Sequence, residues 1–135
     1  MSRLARVRRL SAAERRILAL GWLLLVVAPL ALRVLPLRRM LTPARPRSGP
    51  GLPPERVARL VEVAARAVPG ARCLPVAVVT AWLLARQGTP ATLRIGVARH
   101  AGRLAAHAWL ECGGVPLLHA SQAEGYTPIL AVAVP

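Results

Sequence analysis

At 135 residues the chain is long enough for one compact domain of ordinary size and too short for two. Its 55% hydrophobic content excludes a disordered chain, and 3% aromatics with no Phe means that the core is built from Ala, Leu, Val and Ile. The formal net charge of +14 rests on 19 basic residues, all Arg, against five Glu, with no Lys, Asp or Asn anywhere, and with so few aromatics to stack on bases no nucleic-acid partner is expected.

The charge is uneven. Residues 1–47 hold 11 Arg against Glu14, a net of +10, whereas residues 48–135 hold 8 Arg against 4 Glu, a net of +4. Two organisational parts follow: a basic N-terminal helical segment over 1–47 and a core over 48–135. Two cysteines, Cys73 and Cys112, are too few for a disulfide framework, so a reducing cytoplasm is the expected compartment.

Ser11-Ala12-Ala13-Glu14 matches the capping box, with Ser11 as N-cap and Glu14 reaching back, so a helix starts near Ala12. It enters sixteen uncharged residues, Ile17 to Leu32, interrupted by Gly21 and Pro29 and stopped by Arg33. That run falls just short of the roughly 17–25 residues of a membrane span. Three readings fit: a secretory signal, weakened by the absence of a small-x-small cleavage site; a spanning helix, to which Arg at both ends gives no orientation; and a buried or interface helix, which the pattern favours. Membrane association through residues 17–32 therefore stays open beside a cytoplasmic location.

Thr42 to Pro54 carries five prolines and two glycines and reads as a linker or exposed loop. Val57, Leu60, Val61, Ala64 and Val68 then recur at helical spacing over about Pro54 to Val68, with Glu55/Arg59 and Glu62/Arg66 as i,i+4 pairs and Pro69-Gly70 as the stop. Cys73 to Arg86 is apolar on every side. Its length favours a central buried helix over a strand, and Pro75 suits the first turn. Beyond Pro90 the period becomes two: Thr92 to Val97, Leu104 to Glu111, Val115 to His119 and Ile129 to Val134 predict an antiparallel meander of about four strands, with turns at Ala101-Gly102 and Gly113-Gly114. The fold class is α+β, helices followed by a small antiparallel sheet.

Within that frame Cys73 opens a helix beside Arg72, where an N-terminal partial positive charge and a cation favour the thiolate that attacks carbonyl carbon. A thiolate nucleophile needs a base. His107, in Ala106-His107-Ala108-Trp109-Leu110-Glu111, lies mid-strand on the face of Trp109 and Glu111, with small neighbours that leave room around it. Cys73, Cys112, His107 and His119 are zinc-type residues, but their spacing matches no metal site, and neither a metal nor a cofactor is expected. His100, beside a turn, reads as exposed.

A cysteine at a helix start, then strands, then a histidine within a hairpin is the order of papain-like and transglutaminase-like folds. Arg72-Cys73-Leu74 with its apolar helix, Gly88-Thr89-Pro90-Ala91, Leu93-Arg94-Ile95-Gly96-Val97, Ala106 to Glu111 and Gly113-Gly114 resemble the lasso peptide biosynthesis B2 protein family, and Leu35-Pro36-Leu37-Arg38-Arg39 fits it too. The resemblance implies a transglutaminase-like cysteine protease that removes the leader from a lasso precursor peptide. Its implied partners are that leader, a small leader-recognition protein of the B1 type, and an ATP-dependent lasso cyclase that receives the core. Cys73 matches the family's cysteine and His107 its histidine.

The family's third member is an Asp about a dozen residues beyond the histidine, where this chain has His119. A three-residue loop, Cys112-Gly113-Gly114, would set His107 directly opposite His119; a two-residue loop, Gly113-Gly114, would pair His107 with Ala120 and turn His119 away. In the first register neutral His119 can orient the imidazole without supplying charge, while Glu111 offers the charge in either; His119 is the preferred orienter. The rival reading is a non-catalytic leader-binding scaffold whose missing Asp reports lost activity.

Overall fold

The computed structural model describes residues 2–42, 51–117 and 125–134, and within them the order is helices first, strands after. A short helix α1 (Arg3–Arg8) leads into α2 (Ala12–Val34), which begins with the expected capping box: the Glu14 N–H donates to Ser11 Oγ at 3.1 Å and the Ser11 N–H to Glu14 Oε2 at 2.8 Å. It runs through Pro29 and Arg33, and ends at Leu35, where Pro36 disfavours helical backbone in the residue before it. One turn follows, α3 (Leu37–Met40). Gly21, Leu25 and Ala28, spaced four and three apart, form the buried face of α2. The boundary expected near residue 47 falls on residues 43–50, outside the described residues.

The next helix, α4 (Pro54–Ala65), buries Val57, Ala58, Leu60, Val61 and Ala64. It ends three residues before the expected Val68. Ala67 and Val68 donate to the carbonyls of Ala64 and Ala65, an i→i−3 pattern that tightens the chain into turns ahead of Pro69. On its surface Arg59 pairs with Glu62 at 3.7 Å, one turn onward, in place of the two expected i,i+4 pairs. A longer-range bond ties α2 to α4: Arg56 Nε donates to Glu14 Oε1 at 2.5 Å.

The central helix α5 (Cys73–Arg86) has the expected bounds, and ten of its residues are buried, among them Val76, Ala77, Val79, Ala81, Leu83 and Leu84. Its one fully buried hydroxyl, Thr80, is satisfied within the helix by donating to the Val76 carbonyl at 2.8 Å. At its C-terminal end Gly88 takes a φ of +82°, the Gly88 N–H reaches the Ala85 carbonyl and the Thr89 N–H the Leu84 carbonyl, a complete Schellman cap. Helices α2, α4 and α5 share one core, to which Leu25, Val61 and Leu84 all belong.

Strands β1 (Ala91–His100), β2 (Arg103–Cys112), β3 (Val115–Pro116) and β4 (Thr127–Val134) form an antiparallel sheet in the order β3-β2-β1-β4. The expected meander is corrected here: the last strand returns to the far side of β1 instead of adding beside β3. As described, β3 pairs over two residues only and includes a proline, which lacks a ladder donor, whereas β1 offers a long proline-free edge from Ala91 to Val97. Both tight turns are two-residue loops. Ala101-Gly102 have φ of 50° and 76°, and Gly113-Gly114 have 59° and 80°. Cys112 pairs with Val115 and Glu111 with Pro116, so the three-residue loop that would have set His107 opposite His119 is not formed; two successive glycines accept the left-handed backbone that the shorter loop needs.

Alternation along the strands separates two faces. Leu93, Ala108, Leu110 and Val134 point into the core beneath the helices, and His107, Trp109 and Glu111 fall on the other face with Arg94 and Gly96.

Candidate functional site

Cys73 is the first residue of α5, half-buried, with Arg72 as N-cap. Arg72 supplies no side-chain cap, Pro75 has no N–H, and the first intrahelical bond runs from the Val76 N–H to the Arg72 carbonyl at 3.2 Å. The N–H groups of Cys73 and Leu74 are therefore uncommitted donors at the same helix end as the thiol. No acidic residue occupies that first turn.

The thiol opens on a cleft of about 410 Å³. One wall is the end of α4, with Glu62, Ala65 and Arg66; the other is the approach to α5, with Ala71, Arg72, Cys73 and Val76. His107 completes the lining. Two arginines against one glutamate make the cleft lining net positive.

The residues proposed as nucleophile and base thus border one cavity. His107 lies on the sheet face opposite the core residues Ala108 and Leu110, and among the described residues β3 pairs with β2 at Glu111 and Cys112. The His107 ring is buried, 5.3 Å from that of Tyr126 and stacked 6.1 Å from that of Trp109 with 20° between planes.

Glu111 does not bond to that imidazole. One carboxylate oxygen accepts from Arg94 Nε at 2.7 Å and the other from Trp109 Nε1 at 3.2 Å. Four residues along a strand separate it from His107 by about 13 Å of rise, so any influence passes through the indole it holds. His119 lies outside the described residues.

Arg94, Gly96 and Tyr126 were not singled out in the sequence. Gly96 and Arg94 could have been, since their alternation places them opposite His107 and Trp109 once the β1–β2 register is known. Tyr126 stands at the start of β4, and its approach to His107 depends on β4 pairing with β1. The two remaining titratable candidates are peripheral: the Cys112 thiol donates to the Pro90 carbonyl at 3.4 Å, and exposed His100 packs 5.7 Å from Tyr126.

Searches of curated proteins and of solved structures found no match. A family model described as the transglutaminase-like superfamily matches residues 18–131, from within α2 to within β4, and so takes in the Cys73 helix, the His107 strand and the cleft between them. The chain belongs to the transglutaminase-like superfamily.

Proposed function

We propose that this protein is a cysteine peptidase that removes the leader from a lasso precursor peptide in the cytoplasm. The observation that carries the reading is that Cys73, at a bare helix N-terminus, and His107 line one cleft in a chain of transglutaminase-like family. In this mechanism the Cys73 sulfur attacks the carbonyl carbon of the scissile peptide, forming a thioester as the C–N bond breaks. His107 delivers the proton to the departing amine, and water then hydrolyses the acyl-enzyme. The N–H groups of Cys73 and Leu74 serve the developing oxyanion. The orientation of His107 is set by Glu111 acting through Trp109, the route compatible with the two-residue loop at Gly113-Gly114, with His119 as the alternative. The B1-type recognition protein presents the leader, and a lasso cyclase consumes the released core.

The test is leader removal followed by mass spectrometry. Cys73→Ala and His107→Ala each abolish cleavage while circular dichroism stays that of the parent protein; full activity in either variant rejects the assignment.

The absence of Asp from the whole chain supports a second reading, a leader-binding scaffold without turnover. Alkylation at neutral pH separates the two: an enzyme reacts faster at Cys73 than at Cys112, and equally slow labelling of both favours the scaffold.

A further inference from the structure

Helix α2 carries two apolar faces, of which the domain uses one. Gly21, Leu25 and Ala28 are buried against the other helices. Trp22, Leu23, Val26, Val27, Leu30 and Val34 are exposed, from 42% at Trp22 to 72% at Val34. At 100° per residue these six occupy one continuous sector about 140° wide, opposite the buried one. Arg15, Arg16 and Arg33 fall within that same sector at its two ends, and α1 adds Arg3, Arg6 and Arg8 beyond it.

We propose that this face lies flat in the interface of an anionic lipid bilayer, with its central apolar residues among the acyl chains and its terminal arginines on lipid phosphates. Charge complementarity selects the occupant, because a strip closed at both ends by arginine and free of carboxylates fits a negatively charged surface. Arginine stems extend along the apolar strip while their guanidinium groups stay at headgroup level, and Trp22 suits the same depth.

The helix is long and apolar enough to cross a membrane by composition, but its packing opposes that. Crossing would strip Leu25 and Ala28 from the core they share with α4 and α5 and would carry one arginine-rich end through hydrocarbon. The uncharged stretch, at 1.5 Å per residue, is also only about 24 Å long, short of the roughly 30 Å hydrocarbon layer. The proposal is independent of the peptidase reading.

The full-length protein is floated with vesicles of phosphatidylglycerol and, separately, of phosphatidylcholine. Flotation is expected with phosphatidylglycerol only, weakened by salt, and with release by alkaline carbonate as for a peripheral protein. Replacing Arg15, Arg16 and Arg33 together by Gln lowers partitioning by about fivefold for each arginine. Val27→Glu with Leu30→Glu removes binding, and circular dichroism matching the parent protein shows that the fold is kept. Failure to float with phosphatidylglycerol overturns the proposal, as does carbonate-resistant insertion. So does a vesicle-free dimer dissolved by V27E and L30E, which would make the strip a protein interface.

Discussion

A Cβ at Gly96 would stand 2.8 Å from two ring atoms of Trp109, so the indole occupies the space that any other residue at position 96 would fill. That close approach seats the ring against which the His107 imidazole stacks. The Thr127 carbonyl, 3.0 Å from the same point, blocks the backbone from giving way. Gly96→Ala therefore displaces Trp109. Overpacking of this kind destabilises by about 1–3 kcal/mol. Chemical denaturation reads that loss, and leader removal by G96A is expected to fall further than the unfolded fraction explains, because the imidazole loses its support.

The two candidates for the orienting role are separated by rate. Glu111→Gln keeps an acceptor for Trp109 and removes only the charge that Arg94 meets. Glu111→Ala, which also takes away that acceptor, is expected to lower kcat more than His119→Ala does, though by less than the about 10⁴-fold that follows when a triad carboxylate is replaced and the wrong tautomer is fixed. Single-turnover cleavage measures both, and the reverse order assigns orientation to His119.

Glu14 ties the start of α2 to α4, and its carboxyl is held below the ordinary glutamate value of 4.5, first by the Ser11 backbone N–H and then by Arg56. A carboxyl depressed in the folded state contributes stability above its unfolded pKa, and that contribution is lost as pH falls through the folded value. Melting temperature should therefore drop more steeply below about pH 4.5 in the parent protein than in Glu14→Gln. Parallel curves for the two proteins would show that the capping box and the Arg56 bond add nothing to acid stability.

Gly21 sits where α2 crosses α4, yet a methyl there would lie 3.7 Å from Val61 Cγ2 and 4.0 Å from Ala64 Cβ, ordinary contact distances. Gly21→Ala is expected to stabilise by about 0.5–1 kcal/mol, since alanine loses less backbone entropy in a helix interior. A decrease in denaturation midpoint would mean that the crossing is tighter than those distances.

Much of this architecture was legible because local chemistry and tertiary packing agree. The capping box set the start of α2, and the helical reading of α5 followed from its length and Pro75. Non-local pairing was not legible. Nothing in Thr127 to Val134 states that it joins β1, since that depends on which sheet edge is longer and free of proline. The hairpin loop was balanced between two registers, and consecutive glycines permitted the shorter. Cys73 and His107 were recognisable by residue type and order. The bond from Trp109 to Glu111 was hidden because the side chains, two apart on one strand, share a face with Arg94, whose position needs the β1–β2 register.

Helix α5 is fastened unequally. Its last turn is closed by the Gly88 cap, and Gln87 Nε2 pins the Leu52 carbonyl at 2.7 Å, while the cysteine end has no side-chain cap at all. Fraying is thereby directed to the turn that carries the sulfur. The amides of Cys73 and Leu74 should exchange with solvent deuterium well before that of Thr89, and an incoming peptide can complete the turn that the protein itself leaves unfinished.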